Sequence, residues 1–318
     1  MKAVILDYAS LAPADLDLSV LRSSIPEWEI YESTEPEQTA ERIRDADIVF
    51  SNKVFIGAEE MRTASQLKLI AVMATGTNNV DLPAATAKGI TVCNAVGYST
   101  PSVVQHTFAL LLALVTKLPD YQRDVQAGTW QKSPFFCLLD YPVMELAGKT
   151  IGIIGYGTLG KAVADIAKAF GMKVLVAASS SGRIEADRLP LTELLPQVDV
   201  LTLHCPLSDQ TRNLLNAETM KLMKKGALIV NTARGGIVDD QALADALSSG
   251  HLGGAGIDVI AKEPPRDGNP LLAADVPNLI LTPHTAWASR ESRQRLIDQL
   301  HQVVQAFLNG SPINKVNH

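Results

Sequence analysis

Residues 149–160 read K-T-I-G-I-I-G-Y-G-T-L-G. An apolar run at 151–154 breaks into Gly155-Tyr156-Gly157-Thr158-Leu159-Gly160, and 161–170 then has the composition of a helix. A G-x-G-x-x-G between a strand and a helix is the setting that a dinucleotide-binding loop requires. Gly155 permits the tight turn, Gly157 lets backbone approach a pyrophosphate, and Gly160 lets helix and strand pack closely. The N-terminus of the following helix offers unpaired N–H groups to the phosphates.

Downstream, the helix stop Phe170-Gly171 precedes an expected strand at 174–177. Further strands are expected at 198–203, 227–230, 254–257 and 279–281, with helical stretches such as 217–223 and 240–248 between them. With 151–154 these strands suit a doubly wound parallel sheet. Upstream, 3–6, 48–50, 67–73 and 90–93 read as strands, and 35–44 and 82–88 as helices. That alternation implies a second, smaller parallel sheet covered on both sides. Thr100-Pro101 is a helix start, and the helix expected over 102–118 is apolar nearly all round, hence buried between domains or subunits. The aromatic- and proline-rich 128–146 reads as a connecting segment that packs on the surface or against a partner chain. Leu296, Leu300, Val303, Val304 and Phe307 follow helical spacing within 289–308, a last helix expected to return to the N-terminal domain. The expected organisation is α/β with two domains: a substrate domain of 1–100 and 288–318, and a dinucleotide-binding domain of 101–287 inserted in it.

The 318 residues, 47% apolar and 19% charged, suit a folded chain of two domains. A net charge of -6 without a block of Lys and Arg gives no reason to expect nucleic acid as partner. The start M-K-A-V-I-L-D lacks the pattern of a signal peptide, and the apolar stretch 108–115 is far below the roughly 20 residues a membrane span needs. Cys93, Cys137 and Cys205 are far apart, which suits a reduced cytoplasm and neither a disulfide framework nor a metal site.

In an open parallel sheet ligands bind beyond the carboxyl ends of the strands. The residues there are Gly155, Ala178, His204, Arg234, Asp258 and His284. Histidine exchanges protons near neutral pH, so His284 is the candidate acid–base. Arg234, in N-T-A-R-G-G, is a fixed cation whose planar fork suits a substrate carboxylate. Glu263, in A-K-E-P-P, sits after the fifth strand, and a carboxylate bonded to an imidazole orients it. With a nicotinamide these three form a system for reducing a 2-keto acid or, in reverse, oxidising a 2-hydroxy acid.

At these residues the chain resembles the D-isomer-specific 2-hydroxyacid dehydrogenases. The resemblance runs through A-T-G-T-N-N-V-D-L at 74–82, the glycine loop, H-C-P-L at 204–207, N-T-A-R-G-G-I-V-D at 231–239, G-I-D-V at 256–259, E-P-P and P-H-T-A-W. It implies a Rossmann-type nucleotide-binding domain inserted in a flavodoxin-like substrate domain, the two closing over a cleft, and a homodimer joined through the nucleotide-binding domain. It implies Arg234, Glu263 and His284 as the catalytic set, and Asn52, Lys53 and the backbone of Thr75, Gly76 and Thr77 toward the substrate. Cofactor contacts are implied for Gly155, Tyr156, Gly157, Thr158, Leu159, Gly160, His204, Cys205, Pro206, Thr211, Thr232, Ala233, Arg234 and His284, with Asp258 near the nicotinamide carboxamide. Within the family, N-A-V-G-Y-S-T at 94–100 and P-F-F-C-L-L-D-Y-P at 134–142 look most like the glycerate dehydrogenase, or hydroxypyruvate reductase, branch. Its members often accept glyoxylate and other small 2-keto acids.

One departure bears on the cofactor. An NAD-preferring loop carries Asp or Glu about 20 residues past its glycines, on the ribose 2′-hydroxyl. Here 176–183 reads V-A-A-S-S-S-G-R, with no carboxylate. Its absence removes repulsion of a 2′-phosphate, and Ser179, Ser180 and Arg183 suit binding one, so NADP(H) is favoured slightly over NAD(H). Two other readings stand beside the hydroxypyruvate or glyoxylate reductase: a dinucleotide-sensing corepressor-like protein, and a 3-phosphoglycerate dehydrogenase. The intact Arg234, Glu263 and His284 favour the enzyme over the sensor.

Overall fold

The computed structural model of the chain describes residues 1–179 and 187–317. It divides into two compact units, Met1–Pro101 with Trp287–His318, and Ser102–Ala286.

The first unit begins β1 (Lys2–Ile5), α1 (Ser19–Ser23), β2 (Glu27–Ile30), α2 (Pro36–Ile43), β3 (Ile48–Ser51), α3 (Ala58–Thr63), β4 (Leu69–Val72), α4 (Leu82–Ala87) and β5 (Thr91–Cys93). All pairings are parallel, in the order β2-β1-β3-β4-β5, which is the flavodoxin-like arrangement. The sequences of β3 and β4, IVFS and LIAV, are buried at every position because helices cover both faces. The expected strands and helices are present; α1 and α3 are additions to them, and so is β2. Its sequence EWEI alternates charge with apolar bulk and lies at an exposed edge, so it lacks the continuous apolar run of its neighbours.

The second unit comprises α5 (Thr100–Val115, which starts at the unit boundary), α6 (Leu118–Gln126), β6 (Thr150–Ile154), α7 (Thr158–Ala169), β7 (Lys173–Ala177), β8 (Arg188–Leu189), α8 (Leu191–Leu194), β9 (Val200–Leu203), α9 (Ala217–Lys221), β10 (Leu228–Asn231), α10 (Asp240–Ser248), β11 (Gly254–Ile257) and β12 (Leu279–Leu281). Its seven strands are parallel in the order β12-β11-β10-β9-β6-β7-β8. Counting from β6, that is the doubly wound 3-2-1-4-5-6 order with a seventh strand on one edge. The order reverses between β6 and β9, and a crevice for a ligand opens at such a switch point. The two-residue β8 is the strand added to those expected.

The expected helix over 102–118 is present as α5, and a second helix, α6, follows where none was expected. The apolar face of α5 packs Phe108, Leu111, Leu114 and Val115 against Ile151, Ile153, Val200 and Val230 of the sheet. The chain then turns at Lys117, which takes a left-handed φ of 56°, and α6 restarts with Pro119 in its first turn. After α6 the chain to β6 holds only the short 3-10 turn Trp130–Lys132, as its composition suggested.

The last helix, α11 (Arg290–Leu308), belongs to the first unit and is capped by Ser289, whose hydroxyl accepts from Ser292 N at 3.2 Å. Its Leu296, Ile297, Leu300, Val303 and Val304 are buried in the same cluster as Ala3, Ile5, Phe50 and Ala71. Among the described residues no single helix is long and apolar enough to cross a membrane. None of their His, Cys, Asp and Glu side chains group as metal ligands.

Candidate active site

The glycine loop shows why each glycine stands where it does. Gly155 has a φ of 90°, and a Cβ there would lie 2.5 Å from the carbonyl carbon of His204, where β9 ends. A Cβ on Gly160 would lie 2.1 Å from the Gly155 carbonyl oxygen, so the first turn of α7 packs directly on the loop. A Cβ on Gly157 would meet nothing within 4 Å. Two glycines are required by packing, and the third leaves open space at the N-terminus of a 12-residue helix whose cap residue supplies no side-chain hydrogen bond. Those N–H groups fit the pyrophosphate of a dinucleotide. Thr158 is exposed, and Tyr156 and Leu159 are half-buried.

Beyond β7 the structure reaches Ser179; Ser180 and Arg183 lie outside the described residues. It adds a cation that the sequence reading missed. Arg188, on β8, pairs in register with Val176, and its guanidinium carbon lies 5.9 Å from the Tyr156 ring centroid.

After β9, burial holds His204 neutral by pushing its pKa down to about 4, and Nε2 shares a 2.9 Å hydrogen bond with Thr202 Oγ1. Burial pushes the Cys205 thiol up to about 11, so it remains a thiol at physiological pH. Thr211 Oγ1 donates to Pro206 O and accepts from Ser208 N, both at 2.8 Å, which ties the 206–211 turn to itself.

Arg234 stands in a turn built by Asn231. The Asn231 side chain, 1% exposed, accepts from Ala233 N and donates to Arg234 O, both at 3.0 Å. The guanidinium spends one of its five N–H donors on Ala233 O at 2.6 Å. Gly235 fixes where this turn sits, since a Cβ on it would lie 1.7 Å from Ile260 O. Ile260 N in turn donates to Glu263 Oε1 at 2.9 Å, and Glu263 Oε2 lies 2.5 Å from His284 Nδ1. A backbone contact and two hydrogen bonds therefore connect Arg234, Glu263 and His284 within one unit. A Gly235→Ala substitution has to displace backbone on one side or the other. We expect kcat on a 2-keto acid to fall by ~10²-fold, as for a misplacement of about 1 Å, with the melting temperature measured alongside to separate misplacement from unfolding.

A carboxylate only accepts hydrogen bonds, so Nδ1 of His284 carries the hydrogen in the contact with Glu263. The ring nitrogen that can exchange a proton with a substrate is then Nε2. His284 has a φ of 54°, a left-handed conformation that costs a residue other than glycine about 1–2 kcal/mol. Asp258 holds it there. The Asp258 carbonyl accepts His284 N at 2.8 Å, Oδ1 accepts Thr282 Oγ1 at 2.5 Å and Thr285 N at 2.9 Å, and Oδ2 accepts Ala286 N at 2.9 Å. Hydrogen bonds to a charged group contribute about 1.5–3 kcal/mol each, so together they outweigh the backbone strain. Burial alone would raise the pKa of Asp258. The hydrogen bonds from His106, Thr282, Ala286 and Thr285 reverse that and keep it below the usual carboxylate range. Its side chain is fully enclosed, with both oxygens engaged by protein donors.

In the first unit, Asn52 and Lys53 follow β3, and Thr75, Gly76 and Thr77 lie beyond β4, so both groups sit at the carboxyl edge of that sheet. Asp7, 6% exposed, accepts from Asn52 N at 2.9 Å and Lys53 N at 2.7 Å. Burial raises its pKa, against the pull of those N–H groups. Asn94 Nδ2 donates to Thr75 O at 2.7 Å. Asp7, Asn94 and Asn231 went unmarked in the sequence because each acts on backbone distant from it or within its own turn.

Comparison with known proteins follows the same lines. Residues 108–286 match the family described as D-isomer specific 2-hydroxyacid dehydrogenase, NAD binding domain. The chain is 48% identical over 319 residues to a glycerate dehydrogenase of Methylorubrum extorquens, covering 99% of this chain and 98% of that one. It is 43% identical to a hydroxypyruvate reductase of Blautia hydrogenotrophica, covering 100% of both. Among solved structures it is similar to an acyclic imino acid reductase in complex with NADPH and D-Arg, with a TM-score of 0.86, 29% identity, and coverage of 99% of this chain and 100% of that one.

Proposed function

We propose, for a chain that belongs to the D-isomer specific 2-hydroxyacid dehydrogenase family, the reduction of hydroxypyruvate to D-glycerate and, less well, of glyoxylate to glycolate, with NADPH preferred over NADH. The chain is an NAD(P)-dependent oxidoreductase of 2-hydroxy acids; the substrate, the roles of single residues and the choice of cofactor are the proposal. The observation that carries it is the Glu263–His284 pair, joined through Ile260 and Gly235 to the turn that bears Arg234.

Arg234 holds the substrate carboxylate through its planar fork and polarises the adjacent carbonyl. A hydride to the carbonyl carbon is what the reduced nicotinamide supplies when bound. His284, protonated on both ring nitrogens, gives the Nε2 proton to the carbonyl oxygen and returns to the neutral form, with Glu263 still accepting from Nδ1. Oxidation runs the same steps backward and starts from neutral His284. The proposed substrate contacts in the first unit are Asn52, Lys53 and the backbone of Thr75, Gly76 and Thr77. Steady-state rates on hydroxypyruvate, glyoxylate and pyruvate test this reading, each measured with NADH and NADPH. The greatest kcat/KM is expected for hydroxypyruvate with NADPH. No turnover on any of the three would favour the sensing alternative.

The preference for NADPH is supported by the lack of a carboxylate at the end of β7 and by Arg188 beside Tyr156. Substituting Arg183→Ala should lower kcat/KM with NADPH by roughly 10-fold, the loss of one charge-assisted hydrogen bond of about 1.5 kcal/mol, and leave that with NADH unchanged. Equal efficiencies with the two cofactors, unaffected by the substitution, would contradict the preference.

We also propose a homodimer joined through the second unit, working in the cytoplasm, where Cys93, Cys137 and Cys205 would stay reduced as the free thiols they are. Phe135, Phe136 and Leu139 are 74%, 90% and 85% exposed, and Trp130 and Val143 are more than half exposed in the same segment. Five exposed large apolar side chains in one short segment suit a surface that a partner chain covers. Light scattering should return twice the chain mass of 34.1 kDa, and Phe136→Ser with Leu139→Ser should return the single mass.

A further inference from the structure

Two residues one helical turn apart on α5 face the turn that carries His284. Ser102 Oγ donates to Ala286 O at 2.7 Å, and His106 Nε2 lies 2.9 Å from Thr282 Oγ1. These bonds grip the 282–286 turn at its two ends. The next residue, Thr107, shares a 3.0 Å hydrogen bond with Thr232 Oγ1, in the turn that leads to Arg234.

The direction of the bonds at His106 follows from the acceptor at the end of the chain. Asp258, ionised, can only accept, so the Thr282 hydroxyl gives its hydrogen to Oδ1. Thr282 Oγ1 is then left to accept, and the donor in reach is His106 Nε2–H, which is also 3.4 Å from Asp258 Oδ1. His106 therefore carries its hydrogen on Nε2, and the sequence of donors runs His106 to Thr282 to Asp258. The same carboxylate takes Thr285 N and Ala286 N. Without His106, Thr282 Oγ1 loses the donor that completes its hydrogen bonding, and Asp258 Oδ1 loses a neighbouring N–H.

We propose that His106 is a positioning residue for His284, which acts through Thr282 and Asp258 to hold the left-handed turn at 284 in the geometry that proton transfer requires. The inference rests on the acid role given to His284 above. It goes beyond that role by naming what orients the backbone, whereas Glu263 orients the ring.

The test uses His106→Phe, which fills the space without a donor, His106→Gln, whose amide nitrogen can stand where Nε2 stands, and Thr282→Val, which removes the middle hydroxyl. His106→Phe and Thr282→Val should each lower kcat on hydroxypyruvate by ~10²-fold, the loss that a misplacement of about 1 Å brings, with KM and NADPH binding by fluorescence quenching little changed. The double variant should lose no more than either single one, because both cut the same chain. His106→Gln should recover at least 10-fold of the loss, on the order of one lost hydrogen bond. Equal losses in Phe and Gln, additive losses in the double variant, or a change in KM alone would overturn the proposal.

A readout independent of turnover separates this inference from the reaction itself. Hydrogen exchange at the amides of Thr285 and Ala286 should quicken in His106→Phe and stay slow in His106→Gln. If the wild-type protein turns over no 2-keto acid, the exchange data still decide whether His106 holds the turn; unchanged protection in His106→Phe would refute it.

Discussion

Replacing His284 by alanine should lower turnover on hydroxypyruvate by ~10³-fold with NADPH binding largely kept, within the range that general acid catalysis contributes. The size follows from what remains. The glycine loop and the N-terminus of α7 are untouched, so the dinucleotide should still bind, and in the proposed mechanism Arg234 would still hold and polarise the substrate. What the proposed mechanism would lose is a proton donor at the carbonyl oxygen, and with it about 4 kcal/mol of barrier lowering. Glu263→Gln should cost less, ~10²-fold, since an amide can still meet Nδ1 but without the charge that stabilises an imidazolium. Stopped-flow measurement of a single turnover checks both, because it isolates the chemical step from product release. Turnover of His284→Ala near the wild-type value would remove His284 from the mechanism.

The second large effect is at Arg234. Arg234→Ala should lower kcat/KM for hydroxypyruvate by ~10⁴-fold, and Arg234→Lys should restore little of it. Lysine keeps the charge and loses the fork, and a bidentate site distinguishes the two. The Asn231 hydrogen bonds and the close approach of Gly235 to Ile260 hold the turn by backbone, so it should survive the change of side chain. Added guanidinium ion should recover part of the activity of Arg234→Ala and none of that of His284→Ala. If Arg234→Lys retained most of the wild-type kcat/KM, the carboxylate would have to be held elsewhere.

Much of this arrangement is legible in the sequence, for physical reasons. The strands of a covered parallel sheet are continuous apolar runs, so 151–154, 198–203 and 227–230 announce themselves, and the polar residues that end them fall at the carboxyl edge where ligands bind. The edge strands β2 and β8 are half-exposed and mixed in character, and leave no such signal. Helix α6, with the sequence LPDYQRDVQ, is short and mostly polar, and the apolar run that marks α5 does not continue into it. Distant partners are hidden for another reason. Asp7 meets the backbone of Asn52 and Lys53 across 45 positions or more, and His106 meets Thr282 across 176, so neither leaves a local pattern. The resemblance placed Asp258 beside the nicotinamide carboxamide. The structure gives that carboxylate donors of its own from 282–286, which the sequence motif did not suggest.

The claim on which the rest depends is that His284 exchanges the substrate proton in both directions. The pH dependence of kcat/KM for hydroxypyruvate reduction and for D-glycerate oxidation, measured on one preparation of the wild-type protein, tests it most directly. Reduction needs the imidazolium and oxidation the neutral ring, so the first should fall with rising pH and the second should rise, each through a single ionisation. Both limbs should vanish in His284→Ala, leaving flat residual rates. Profiles that move in the same direction, or limbs that persist without His284, would contradict the account.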